Sequence, residues 1–135
     1  MAKTVQTYEN RIYSDLDLNF NIHPLKKDIN KNLSEKAVIF SIKNLLMTSI
    51  YEKPFLPEFG SNVRKLLFEP LTPVIGIAIQ REINEIITTH EPRVQLKTLK
   101  VTPNYEKNAF NINLEFKIKN ISRIISVNFL LERLR

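Results

Sequence analysis

Three carboxylates in this chain stand where acid–base chemistry is conceivable. Glu58, Glu69 and Glu91 each lie beside proline or an aromatic residue, surroundings that can raise the pKa of an acid. Cleavage of a sugar polymer requires two such groups at a set separation across a cleft, and a saccharide site usually adds a tryptophan to stack on, which this chain lacks. Structural use of these acids is therefore expected over a lysozyme-like activity. His23 precedes Pro24 in a loop, and His90 closes a helix, where an imidazolium would favour the carbonyl end of the dipole. Neither falls in a metal or nucleophile spacing. With no cysteine, disulfides and thiolate metal sites are excluded; with Gly60 and Gly76 the sole glycines, there is no glycine-rich phosphate cradle. The inventory predicts no catalytic residue, no metal and no cofactor. What stands out instead is the triplet Glu91-Pro92-Arg93, a helix-stopping proline with charges on either side that could form an ion-paired joint.

The triplet also marks a boundary in charge. The net charge is +6, yet residues 1–92 carry eleven Lys plus Arg against eleven Asp plus Glu, so the excess lies in nine basic and three acidic residues from 93 to 135. Such a one-sided field can steer an acidic partner, although charge alone reads first as a solvated basic face. Nucleic acid is not the expected partner. Phe110, Phe116 and Phe129 fall on the apolar side of strand patterns, away from the exposed lysines that a base-stacking platform would need.

Several elements must position these residues. Alternation at 12–22 sets Leu16, Leu18, Phe20 and Ile22 against Asp15, Asp17, Asn19 and Asn21 and predicts a half-buried strand, followed by a turn at 26–31. Asn32 or Ser34 should cap a helix running to about Ser49, with Glu35 closing a capping box on Asn32 and Val38, Ile42, Leu45, Leu46 and Ser49 as its inner stripe. Pro54 and Pro57 forbid its continuation, so 51–60 should be an ordered loop packed down by Phe55, Leu56 and Phe59. Ser61 should cap a short helix to Leu67. Thr72 and Pro73 then open a long helix with Ile75, Ile79, Ile83, Ile86 and Ile87 inward. Strands follow: 94–102 with a bulge between Leu96 and Leu99, then Phe110 to Ile118, then Ile125 to Leu131 as a returning hairpin strand. The expected fold is α+β in a single domain over 1–135, a mixed, mostly antiparallel sheet with two long helices and one short helix packed on it and a C-terminal β-hairpin. The polar first ten residues show no secretory signal, and no apolar run approaches the roughly 20 residues a bilayer crossing needs, so a soluble protein is expected.

The ordered set of motifs resembles a known family. A leading strand, a helix ending near Ser49, Pro-Phe-Leu-Pro-Glu-Phe-Gly at 54–60, Leu66-Leu67-Phe68-Glu69-Pro70, the Thr72-Pro73 helix start, the 91–93 triplet and the terminal hairpin are similar, in that order, to the sheath-initiator family of contractile-tail phage baseplates, which has type VI secretion counterparts. The resemblance covers nearly the whole chain. It implies a non-enzymatic joint, sited in the tail baseplate of the virion and assembled in the host cytoplasm. That joint contacts wedge core-bundle proteins, tail tube and tail sheath protein, without nucleic acid, membrane or cofactor. It associates Glu91, Pro92 and Arg93 with the wedge contact, and on that basis Arg93→Ala should block wedge incorporation while sparing stability. The hairpin should bind sheath by strand addition along Phe110, Asn111, Ile112, Asn113, Leu114, Glu115, Phe116 and Lys117 and along Ile125, Val127, Phe129 and Leu131. The alternatives are a peptidoglycan-cleaving enzyme and a regulatory module resembling the anti-adaptor proteins of bacteria.

Overall fold

The computed structural model of the chain describes residues 13–134 except 18, 23, 26, 30 and 120, and the backbone alone at 31–33. Two compact units divide it, residues 1–38 and 39–135. In the first, β1 (Ser14–Leu16) pairs antiparallel with β2 (Lys31–Leu33), and an isolated antiparallel bridge joins Ile22 to Ile29. The long alternating strand expected at 12–22 is not formed. Asp17 ends it, because its carboxylate accepts the Asn19 N–H at 3.1 Å and the Asn21 amide at 3.2 Å, an Asx-type turn that competes with the ladder. The expected apolar face is not buried either: Leu16, Phe20 and Ile22 are exposed along with Asp15, Asn19 and Asn21, and Asp17 is the buried residue. Leu18 and His23 lie outside the described residues.

Helix α1 (Glu35–Met47) ends two residues before the expected boundary; Val38, Ile42, Leu45 and Leu46 of the expected inner stripe are buried, while Ser49 falls beyond the helix and is half-buried. Its start differs. Asn32 lies in β2 rather than at the N-cap position, and Ser34, which directly precedes the helix, has φ +49° rather than the extended backbone of an N-cap.

Within the second unit, the chain turns back through 48–61 and enters α2 (Val63–Leu66), whose N-cap is Asn62, without a side-chain hydrogen bond. Ser61 does not cap it; its buried hydroxyl donates instead to the Leu46 carbonyl at 2.7 Å, and a parallel bridge joins Ser49 to Ser61. Helix α3 (Pro73–His90) starts as its sequence requires. Thr72 is extended and accepts the Ile75 N–H, while Pro73 takes a first-turn position where no donor is lost. Ile79, Ile83, Ile86 and Ile87 are buried, with Ile75 at the margin.

The main sheet has the order β3-β4-β5, comprising β3 (Val94–Asn104), β4 (Ala109–Ile118) and β5 (Ile124–Glu132), with every pairing antiparallel. The α+β class holds; the main sheet is antiparallel throughout rather than mixed, and the parallel pairing seen among the described residues is the isolated Ser49–Ser61 bridge. The register shift between Leu96 and Thr98 makes Lys97 the extra residue of the bulge foreseen there. Central strand β4 supplies the core: Phe110, Ile112, Leu114, Phe116 and Ile118 have no solvent exposure. Gly76 on α3 sits over this layer, and a Cβ added there would meet the Val101 carbonyl at 3.6 Å and the Phe110 ring at 3.7 Å, ordinary contact distances. Gly76→Ala is accordingly expected to raise stability by about 0.5 kcal/mol through helix propensity, read as a higher denaturant midpoint. Among the described residues no helix is long and apolar enough to cross a membrane.

Candidate functional site

Two places on the second unit carry features beyond packing. The first is the joint at 91–93. Pro92 cannot continue α3, so Glu91 becomes its C-cap, with backbone φ −123° and its N–H still bonded to the Ile87 carbonyl. That backbone turns the Glu91 side chain inward, where it is only 3% exposed. The carboxylate is fully occupied: Arg93 donates Nε to Oε1 at 2.5 Å and Nη2 to Oε2 at 2.8 Å, and Ser41 on α1 donates its hydroxyl to Oε2 at 2.6 Å. Burial by itself would push this carboxyl's pKa up. The hydrogen bonds from the Arg93 side chain and from Ser41, the Arg93 charge and an Arg93 backbone hydrogen bond together outweigh it and hold the group below the ordinary glutamate value of 4.5. The direction is opposite to that required of a general acid. Of the other two carboxylates singled out in the sequence, Glu58 and Glu69 are exposed. Among the described residues there is no cluster of three or more acidic, histidine or cysteine side chains able to hold a metal.

The triplet is therefore a tie that fastens α1, the end of α3 and the start of β3 to one another. Pro92 is exposed and Arg93 half-buried, so these two, rather than Glu91, present a surface.

The second place is the free edge of the hairpin. The Arg93 carbonyl accepts the Lys119 N–H at 3.0 Å and the Asn108 carbonyl accepts the Arg133 N–H at 2.9 Å, which fixes which residues of each strand bond to which neighbour. On β4, Asn111, Asn113, Glu115 and Lys117 turn their backbone groups to β3, while Phe110, Ile112, Leu114 and Phe116 turn theirs to β5. Both sides of β4 are thus paired, and an added strand has nothing to bond there; the expectation that β4 takes part in strand addition is corrected on that ground. On β5, Ile125, Val127, Phe129 and Leu131 bond inward to β4. The outward backbone groups belong to Ile124, Ser126, Asn128, Leu130 and Glu132, and among the described residues these outward groups have no backbone partner.

The two edges of the sheet differ. Edge β3 carries the bulge at Lys97 and places Pro103, which has no N–H, on its outward side, two devices that blunt an edge. Edge β5 has neither. Beside it runs an apolar cleft of about 370 Å³ between the end of α1, α2 and β5, lined by Leu46, Met47, Leu67, Leu130 and Leu131 among others. Met47 and Leu130 are among its exposed members.

A family model described as baseplate wedge protein gp25 matches residues 33–122. The chain belongs to the gp25 family of baseplate wedge proteins. A curated relative, the baseplate wedge protein gp25 of Enterobacteria phage T4, is 32% identical over 113 residues, which is 81% of this chain and 82% of the relative. Among solved structures, a protein named as a tail lysozyme from Geobacter sulfurreducens superposes with a TM-score of 0.69 at 20% identity, over 75% of this chain and 92% of that one. A chain of the anti-feeding prophage baseplate gives 0.62 at 20% identity, over 91% of this chain and 87% of that one. At these identities the structural likenesses establish a shared fold.

Within the gp25 family assignment, residue-level reasoning found the joint and the hairpin but missed the edge. Ser126, Asn128 and Leu130 look like the solvent side of an alternating strand, and Met47 like an incidental methionine at a helix end. Only strand order and the bonding phase of β5 reveal them as a backbone edge along an apolar cleft.

Proposed function

We propose that this gp25-family chain is a non-enzymatic joint of a contractile-tail baseplate. Its triplet end, through Pro92 and Arg93, faces the core-bundle proteins of the wedge. Its β5 edge takes an extended arm of the tail sheath protein, so that the first sheath ring is templated on the baseplate around the tail tube. Assembly takes place in the host cytoplasm, before the tail is complete. Family membership supports the setting, and the observation that carries the sheath reading is the β5 edge itself: outward backbone groups without a backbone partner among the described residues, no bulge or proline in the strand, and an apolar cleft alongside. Backbone hydrogen bonds would supply attachment, while every second side chain of the arm would enter the cleft over Leu46, Met47 and Leu131. The excess of positive charge after residue 93 favours an acidic arm and fixes its orientation.

The bonding phase gives a clean test. Asn128 turns its N–H outward, so Asn128→Pro removes a donor that the fold does not use, whereas Phe129→Pro removes one bonded to β4. Asn128→Pro is expected to leave a folded monomer with near-normal thermal stability and to abolish sheath polymerisation on baseplates, counted by electron microscopy. Normal sheaths on baseplates carrying this variant would sink the reading.

A further inference from the structure

Of the three apolar residues expected to pack down the loop between α1 and α2, Phe59 does pack, against His90, but Phe55 and Leu56 do not. Phe55 is 100% exposed, and Tyr51 and Leu56 are exposed as well. Yet the loop is closed by a dense set of local bonds: Tyr51 N–H to the Pro57 carbonyl at 2.9 Å, Phe59 N–H to the Leu56 carbonyl at 3.1 Å, and Ser61 N–H to the Thr48 carbonyl at 2.8 Å. Tyr51 and Phe55 hold left-handed backbones, with φ of +69° and +67°, which bulky L-residues adopt at a cost. A rigid loop that spends backbone strain to hold a phenylalanine in water has the form of an anchor awaiting a socket.

The tip carries no charge. Pro54, Phe55, Leu56 and Pro57 form it, while the charged residues before it are engaged within the loop: the Glu52 carboxylate accepts the Ser49 N–H at 2.7 Å, and the Lys53 ammonium lies 4.4 Å over the Phe59 ring. Its place is also defined. The Phe59 ring packs edge-on against His90 at 5.4 Å, and His90 directly precedes the triplet, so loop and triplet occupy one end of the unit.

We infer that Phe55 is the main anchor of the wedge contact, inserting into an uncharged apolar socket on the same wedge protein that the triplet faces. This rests on the wedge-facing role proposed above for the triplet. It assigns the affinity of that contact to a neutral aromatic insertion, leaving Arg93 chiefly to hold the fold.

The test uses the full chain and wedge complexes assembled without it, with affinity measured at low and high salt and melting followed separately. Phe55→Gly and Phe55→Asn both suit a left-handed backbone, so neither should lower the melting temperature. Both are expected to weaken binding by about 30-fold, equally at both salt concentrations, because an apolar insertion is not screened. Phe55→Leu should retain part of the affinity. Equal affinity of wild type and Phe55→Gly would overturn the anchor and leave the wedge reading standing. Failure of the wild type to bind wedge complexes would overturn both. A loss confined to low salt, or accompanied by a lower melting temperature in both variants, would also overturn the anchor, since it would show an electrostatic or structural role.

Discussion

Arg93→Ala should lower the stability of the folded chain by about 2–3 kcal/mol, read as a lower denaturant midpoint at unchanged slope. Removing one partner of a buried pair leaves the other charged and uncompensated, and here the residue left behind is Glu91, 3% exposed. The figure is placed below the full penalty for buried pairs because the Arg93 side chain is itself 32% exposed. This reverses the outcome that family resemblance alone implies, namely lost wedge incorporation with stability spared. Glu91→Gln should cost less, about 1 kcal/mol, because Arg93 can then turn to solvent and Gln can still accept from Ser41. The same pair sets an acid limit. Because folding holds the Glu91 pKa below 4.5, its contribution is complete at neutral pH and is lost as pH falls from about 4.5 through the lower folded value. Melting temperatures followed from neutral to acid pH should therefore fall more steeply for wild type than for Glu91→Gln, converging at the acid end. Parallel curves would show that the tie contributes nothing through its charge.

The second large effect is expected at Gly60. Its φ of +139° is a backbone that side-chain-bearing residues rarely adopt, and an added Cβ would stand 2.7 Å from both the carbonyl carbon and oxygen of Ser49 and 2.9 Å from the Thr48 oxygen. All three are backbone atoms of the two residues that follow α1, so no rotamer change relieves the clash. The same approach brings Ser61 close enough to bond the Thr48 and Leu46 carbonyls. Gly60→Ala is expected to cost on the order of 3 kcal/mol and to open the 48–61 loop, seen as faster amide exchange at Tyr51 and Ser61. A loss under about 1 kcal/mol would mean that the close approach is not maintained in solution. Because this closure also holds Phe55 in place, the variant should weaken wedge binding at temperatures where it remains folded.

Gly60 and Gly76 show how differently two residues of one type can be fixed by context. Both are visible in the sequence as the only glycines, and the local pattern puts Gly60 in a turn and Gly76 in a helix, yet it does not say whether a methyl group would fit at either. That is decided by what approaches from elsewhere in the chain: the Thr48 and Ser49 backbone for Gly60, the Val101 carbonyl and Phe110 ring for Gly76.

The alternation of Phe110 to Ile118 determined by itself a strand with one fully buried face, and Thr72-Pro73 with the spacing of Ile79, Ile83, Ile86 and Ile87 determined α3 and its inner side. These were legible because period and capping are local properties of consecutive residues. The charge boundary at 93 and the stop at Pro92 were legible for the same reason. Other features depended on partners distant in sequence. Asp17 was buried and Phe20 exposed against their pattern because a short turn outcompeted a strand that had no long neighbour to pair with. Glu91 turned inward because Ser41, fifty residues earlier, and Arg93 complete its hydrogen bonds. Phe55 stayed in water because the loop satisfies its own backbone without burying its tip. Strand order made β4 central and left β5 with an open edge, since pairing on both sides is a property of the assembled sheet and not of any strand's own residues.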